Sequence, residues 1–447
     1  MTTKLANAYP RKHFFLEMFT RDISLEDCVL DLIDNSIDGL IRSRGIDITS
    51  SILAEGAPST RSRSGSLPKI EVSYSGTEFK IDDTCGGIRR KDALGDVFNF
   101  GHAAGQAGGT LGVYGIGLKR AIFKIGNHFE MESRTVDDGF TVDLDMKEWS
   151  EKDDKLEDWK IPLTFISGAP SQVKAGTKIR ITDLRPEVVM RVNDGVLAQR
   201  LHSTISQTYG LFLNRYLEID LNGKRVEQFE IPIGSSNEVQ AAHDEFEDGD
   251  VTVKLFASLA ARDSRGQWPA EPAGWYALCN GRIVVAADKT DLTGWGVLGS
   301  PVWHAGKYRG FVGVVFFESS NALALPWTTA KRGLNRESQV YQNARNRMKG
   351  VAKPILSFLD RMYSQDPPEE SFGRNIADHV KTTPLSTVAA SAPGAFRVAA
   401  PSQRAPKTTV RVQYDAEKSD IEKVKRQVKK HSWGANQVGK FTLLTTT

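Results

Sequence analysis

Asp31, Asn35 and Asp38 stand four and then three residues apart, a spacing that puts all three on one face of a helix. A carboxylate and a carboxamide one turn apart suit phosphate chemistry. Asn35 can give a neutral oxygen to Mg2+, a cation that takes oxygen ligands and keeps most of its waters. Asp31 can orient a water for attack on a phosphate. The same triplet also reads as an ordinary solvated helix face. Asp83 ends the alternating stretch EFKIDD, four residues before Gly87. A carboxylate there can accept a hydrogen bond from the exocyclic amine of adenine, and a nearby glycine lets a base approach the backbone. The plain alternative is an acidic turn. Gly112, Gly115 and Gly117 precede a helical stretch, LKRAIFKI, that contains Lys119. Backbone amides at a helix start bind phosphate with help from the helix dipole. The cluster lacks both the βαβ setting of a dinucleotide fingerprint and the Gly-Lys-Ser/Thr ending of a P-loop. Gly176-Thr177 opens the strand pattern TKIRITDL, where the threonine can reach a bound base or simply serve the strand.

These residues need elements to position them. From Ser24 to about Arg44, the residues Leu25, Cys28, Val29, Leu32, Ile33, Ile37, Leu40 and Ile41 form a helical apolar stripe. Ser24 is the expected N-cap, with Asp27 three residues on and Gly45 as the stop. Residues 46–68 read as an exposed loop. KIEVSYS and EFKID form a hairpin about Ser75-Gly76. Strand patterns at FEMESR, FTVDLD and TKIRITDL complete a first α+β domain, residues 1–185. A second α+β domain, 186–365, opens with a helix around 196–213. It continues through the strand patterns YLEIDL, VTVKLFASL, GWYALC, RIVVAA and FVGVVFF, and ends in a long helix from about Ser338 to Tyr363. Residues 366–406, rich in Pro, Ser, Ala and Thr, read as a flexible linker. Residues 407–447 hold a strand pattern, TVRVQY, and a basic helix from Asp415 to His431.

The chain has 447 residues, enough for two to three domains at roughly 100–200 residues each. No run approaches the roughly 18 apolar residues that a membrane span needs, so no membrane partner is expected. The N-terminus lacks the apolar core of a signal peptide. Cys28, Cys85 and Cys279 fit neither a zinc site nor a disulfide framework, which predicts a reducing, cytoplasmic location. The net charge of +3 is unevenly placed: Lys407–Thr447 carries nine Lys/Arg against four Asp/Glu, so the rest of the chain is slightly acidic. That C-terminal segment predicts an acidic partner, duplex DNA first or an acidic protein surface second. Trp433 is the lone aromatic beside the basic cluster, which leaves no stacking platform for single strands.

Taken in order, DLIDNSIDG, IDDTCGGI, GVYGIGLK and GTKIRI resemble the four motifs of the GHKL superfamily, whose members include DNA gyrase, heat-shock-90 chaperones, histidine kinases, mismatch-repair ATPases and MORC proteins. The resemblance spans about residues 10–185. It implies a Bergerat-type α/β sandwich that binds ATP and Mg2+. By this likeness Asp31 is the general base, Asn35 the metal ligand and Asp83 the adenine acceptor. Gly112, Gly115 and Gly117 lie in the phosphate lid, and Asp38, Gly87, Lys119 and Thr177 complete the nucleotide-contacting set. LPWTTAKRGLN resembles the lysine loop of the transducer (ribosomal-protein-like α+β) domain in gyrase-like and mismatch-repair ATPases, which makes Lys331 the catalytic lysine, with Arg332 second. An exposed basic turn is the alternative. CNGR, at Cys279–Arg282, also resembles a strand-end motif of such domains.

Two positions depart from the family. Asp31 stands where Glu is usual, one methylene shorter, so slow turnover is expected. Cys85 stands where Gly is usual. About 23 residues before the first helix leave no room for a phospho-acceptor helix, and the chain has no room for a topoisomerase cleavage domain. The chain most resembles stand-alone bacterial ATP-binding proteins, MORC-like and mismatch-repair-like, linked to DNA handling or phage defence. The likeness implies an ATP-dependent homodimer with residues 1–23 as a strap. An ATP-sensing interaction module with little hydrolysis is the second reading.

Overall fold

A computed structural model of the chain describes residues 11–54, 60–61, 65–100, 110–112, 115–152, 156–166, 174–297, 299–363, 376–399 and 419. Met1–Ala399 cluster as one compact unit. The strand and basic helix expected within 407–447 lie outside the described residues.

The helix expected from Ser24 runs Leu25–Arg44. Ser24 and Asp27 form a reciprocal capping box, Ser24 Oγ accepting from the Asp27 amide at 3.1 Å, and Gly45 closes the helix in the left-handed region at φ 60°. Beneath this helix lies an eight-stranded sheet. Its strand order is Thr164–Phe165, Gly139–Asp145, Gly126–Arg134, Gly176–Leu184, Glu78–Asp83, Lys69–Tyr74, Glu218–Leu221 and Lys224–Arg225. All neighbours are antiparallel except Lys69–Tyr74 and Glu218–Leu221. Along Lys69–Tyr74, Ile70 and Val72 are buried while Glu71 and Ser73 are exposed. That alternation marks a sheet with one covered and one open face. The helices Leu25–Arg44 and Gly117–Ile125 pack on each other on the covered side.

The first sheet does not stop at residue 185. Ile219 and Leu221 pair in parallel register with Ile70 and Val72, burying their side chains beside the hairpin edge. An edge strand with an apolar face is covered this way by whatever chain is near.

A five-stranded sheet follows, in the order Ala242–Asp248, Val251–Leu259, Phe311–Glu318, Gly274–Cys279 and Arg282–Asp288. Every residue of Gly274–Cys279 and Phe311–Glu318 is buried. Continuous apolar runs of this kind belong to strands covered on both faces. The helix Gln339–Met362 packs on one set of these strands, and Leu197–Thr208 contacts Arg282–Asp288. The stretch 366–406, read from composition as a linker, is ordered over 376–399. Lys381–Thr382 pairs with Gly234–Ser235, Arg397–Val398 pairs with Val239–Gln240, and Ile376, Ala377, Val380 and Phe396 are buried. Its strands are two residues long, too short for periodicity to register.

Near the N-terminus, the helix Lys12–Arg21 lies against its own domain. Phe15 and Phe19 join a ring cluster with Phe100 and Trp159. Lys12 is fully buried; its ammonium donates to the Trp149 carbonyl at 2.8 Å and to those of Lys152 and Asp158. A buried cation satisfied by carbonyl oxygens fixes the helix in place. Among the described residues, no helix is long and apolar enough to cross a membrane.

Candidate functional site

The polar face of Leu25–Arg44 is not a solvated face. Asp31, Asp34 and Asp38 are 5%, 0% and 8% exposed, whereas Asn35 among them is open to solvent. Buried carboxylates must be paired or hydrogen-bonded. Each of the three has found partners in a different part of the chain.

Asp38 holds the entrance to the glycine-rich stretch. Its two carboxylate oxygens accept the amides of Leu111 at 2.7 Å and Gly112 at 2.6 Å. Burial nonetheless pushes its pKa up to about 6, against the pull of those two amides. Gly115 has φ 61°, and Gly117 begins the helix Gly117–Ile125 so close to Asp31 that an added Cβ would stand 3.0 Å from the aspartate's Cβ. Lys119, on the same helix, is buried and donates to the Val97 carbonyl at 2.8 Å, at the end of the π-helical turn Ala93–Val97. Burial lowers its pKa to about 8. Its ammonium is thus committed to a backbone oxygen.

Asp83 lies at the end of strand Glu78–Asp83. Its Oδ1 accepts the amides of Cys85 at 2.8 Å and Thr177 at 3.3 Å, and its Oδ2 accepts the Ser36 hydroxyl at 2.8 Å. Oδ2 therefore keeps a lone pair for one further donor. Burial raises its pKa to about 6, opposed by these hydrogen bonds. The Thr177 hydroxyl pairs with Ser133 Oγ at 2.8 Å, and that oxygen accepts the Ile88 amide at 2.8 Å. Gly87 passes this point at φ 69°, where a Cβ would meet the Arg134 carbonyl at 2.0 Å, so only glycine fits. Cys85 is buried and its thiol is pushed well up by burial, which leaves it an inert thiol.

Asp31 and Asp34 meet the second sheet. Arg120 donates to Asp31 Oδ2 at 3.0 Å, while its Nε is buried without a hydrogen-bond partner. Lys331 Nζ donates to Asp34 Oδ2 at 2.7 Å and stands 3.8 Å from Asp31 Oδ1. Arg282 Nε lies 3.2 Å from Asp34 Oδ1, and the Tyr209 hydroxyl donates to the same oxygen at 2.7 Å. Lys331 is buried, not an exposed basic turn, and its neighbour Arg332 pairs instead with Asp27. Burial raises the Asp31 pKa; Lys331 and Arg120 pull it down and Asp34 pushes it further up. Three cations, Arg120, Lys331 and Arg282, thus surround two carboxylates. Around these two carboxylates the local charge is positive, next to exposed Asn35, with Asp38, the third carboxylate of the face, also feeling Lys331.

The structure brings together Asp31, Asn35, Asp38, Gly112, Gly117 and Lys331 around one helix, and joins Asp83 to Thr177 one strand away. Sequence reading passed over Asp34, Ser36, Arg120, Ser133, Tyr209 and Arg282. Of these, Asp34 and Ser36 flank Asn35, and Arg282 ends the CNGR motif; the others carry no local signal.

Residues 23–168 match the family model described as histidine kinase-, DNA gyrase B-, and HSP90-like ATPase. No curated protein matches the chain. The matched segment holds Asp31, Asn35, Asp38, Asp83, Gly112, Gly115 and Gly117; Thr177, Tyr209, Arg282 and Lys331 lie beyond it.

Asp83 offers a test by pH. Its pKa is about 6 in the fold against an ordinary 3.8. A carboxyl that binds its proton more tightly when folded stabilises the fold at low pH, and that contribution is lost as pH rises through the folded value. Asp83→Asn removes the dependence. Relative to the parent, the variant should gain up to about 3 kcal/mol between pH 4 and pH 7, read from urea midpoints. A difference that stays constant with pH would contradict the assignment.

Proposed function

We propose that this chain, whose residues 23–168 form a GHKL-type ATPase domain, binds ATP with Mg2+ and hydrolyses it slowly. The observation that carries the reading is the surplus of buried positive charge at Arg120, Lys331 and Arg282 beside exposed Asn35. Such a cluster is completed by an anion, and a terminal phosphate supplies one. The orphaned Nε of Arg120 fits the same demand.

In this reading Asn35 holds Mg2+, together with phosphate oxygens and waters, and the metal neutralises charge on the phosphates. Asp83 accepts from the adenine amine through its spare lone pair, while Ser36 and the Cys85 and Thr177 amides fix its rotamer. Asp38 sets the start of the lid through the Leu111 and Gly112 amides. Asp31 takes the proton of the attacking water, and the Lys331 ammonium stabilises charge on the terminal phosphate. One observation favours the second reading, an ATP-sensing module with little turnover. Asp31 Oδ2 already accepts from Arg120 and Oδ1 has Lys331 close by, so its oxygens are shared with two cations and not free for a water.

The proposal extends to ATP-gated dimerisation through residues 1–23 and to duplex DNA or an acidic protein as partner of residues 407–447, in DNA handling or phage defence. Its support there is the resemblance and the basic charge of that segment. Light scattering with a non-hydrolysable analogue and a gel shift against a 1–406 truncation test these two parts. An unchanged mass would remove the first, and an unchanged shift the second.

Phosphate release from the purified chain decides between the two readings. Asp31→Ala should abolish turnover while ATP binding is largely kept, because a base acts on the transition state. Lys331→Ala should slow turnover by on the order of a hundredfold or more, the scale of losing one charge-stabilising group. Equal rates in parent and Asp31→Ala would dismiss Asp31 as the base. A parent that binds ATP without releasing phosphate would favour the sensing module.

A further inference from the structure

Of the three buried carboxylates on that face of the helix, Asp34 is the one for which the ATPase reading has no use. It is wholly buried, three residues beyond Asp31, and the chain has surrounded it with donors. Oδ1 has one hydrogen-bond donor and one cation beside it. The Tyr209 hydroxyl donates to it at 2.7 Å, and Arg282 Nε stands at 3.2 Å. Burial, then the charge of Asp34, keeps the tyrosine protonated, so its hydroxyl has a proton to give, while Arg282 donates to the same hydroxyl. Oδ2 accepts from Lys331 Nζ at 2.7 Å.

The same arginine holds the other end of that lysine. Arg282 Nη1 donates to the Lys331 carbonyl at 3.0 Å, and the Lys331 amide donates to Thr328 O at 2.8 Å. The backbone is thereby pinned with Lys331 at φ 53°, a left-handed conformation that a lysine adopts only when its surroundings impose it. Arg282 is itself placed by the turn before it. Asn280 and Gly281 both have positive φ, 46° and 84°, as a two-residue mirror-image hairpin turn requires. The Asn280 side chain locks the turn by donating to Ser319 O and accepting the Ser319 amide, each at 3.0 Å. The CNGR motif is therefore a rigid turn that delivers one guanidinium to both Asp34 and the backbone of Lys331.

We propose that Asp34, braced by Tyr209 and Arg282, is a positioning residue that sets where the Lys331 ammonium stands, so that turnover depends on a carboxylate that does not touch the nucleotide. The proposal rests on the reading of Lys331 as the group that meets the terminal phosphate. Its physical content is simple. A lysine has a long flexible stem, and freezing its tip beside Asp31 needs a directed acceptor. Asp34 supplies that acceptor without entering the cleft. Truncated to an amide, the side chain keeps its shape and loses the charge that holds the ammonium.

The test is a double-mutant cycle on the full chain, with phosphate release as readout. Asp34→Asn should lower kcat by about tenfold or more while KM moves little, since the loss falls on the transition state. Tyr209→Phe, which deletes one oxygen and leaves the packing, should lower kcat in the same direction by a smaller factor. In a Lys331→Ala background both substitutions should have almost no further effect, because they act through a side chain that is gone. Equal losses in the two backgrounds would show that Asp34 serves the fold alone, and would overturn the proposal. So would an unchanged kcat in Asp34→Asn. If Asp34→Asn does not fold, Tyr209→Phe carries the same comparison. A parent without turnover brings down the hydrolysis reading and this one together, whereas an active parent with a background-independent Asp34 effect brings down this one alone.

Discussion

Burying a carboxylate costs several kcal/mol unless the charge is matched, and the helix Leu25–Arg44 buries three of them on one face. The rest of the site follows from that constraint. Asp38 is matched by two backbone amides, which draws the start of the glycine-rich stretch over the helix. Asp31 is matched by Arg120, which ties the helix that follows the glycines to the same face. Asp34 is matched by Tyr209, Arg282 and Lys331, which are contributed by segments lying well beyond the matched ATPase domain. One helix thereby fixes Leu111 and Gly112, the neighbouring helix and the second sheet. Asn35, the exposed residue among them, is left to face whatever enters the cleft.

Breaking one of these pairs leaves a charge buried alone, a loss of roughly 3–5 kcal/mol. An assembly of this kind is expensive as a purely structural device, since apolar residues of similar volume would serve packing as well or better. The surplus positive charge points the same way. Three cations face Asp31 and Asp34, while the third carboxylate of the face, Asp38, is committed to two backbone amides. In the proposed reading, that local excess around Asp31 and Asp34 is met by the anion. The pKa of Asp31, Asp38 and Asp83 is raised because burial penalises their charged forms, which shows the cost that their partners offset.

Much of this was legible in the sequence. The capped helix, the hairpin ending at Asp83, the glycines before LKRAIFKI and the long helix ending at Met362 all declare themselves by periodicity, caps and turn residues. What periodicity could not tell was whether the polar face of the first helix was wet. An i, i+4, i+7 triplet of polar residues looks the same on a solvated surface and in a buried site. The deciding partners lie far along the chain: Tyr209 is 175 residues from Asp34, and Lys331 is 297. For the same reason nothing local announced that Lys119, placed by the resemblance in the nucleotide-contacting set, donates to Val97 O, or that Lys12 caps three carbonyls. Residues 376–399 escaped notice because their order comes from adding two-residue strands to existing edges, not from a pattern of their own.

The central claim is that the buried charge cluster is completed by a terminal phosphate. Calorimetry with Mg2+ and either ADP or a non-hydrolysable ATP analogue tests it most directly, in the parent and in Lys331→Met. The account predicts that the parent binds the analogue more tightly than ADP, by about tenfold or more, and that Lys331→Met loses most of that preference while ADP affinity stays close to the parent value. Equal affinities for the two nucleotides in the parent, or a preference untouched by Lys331→Met, would contradict it.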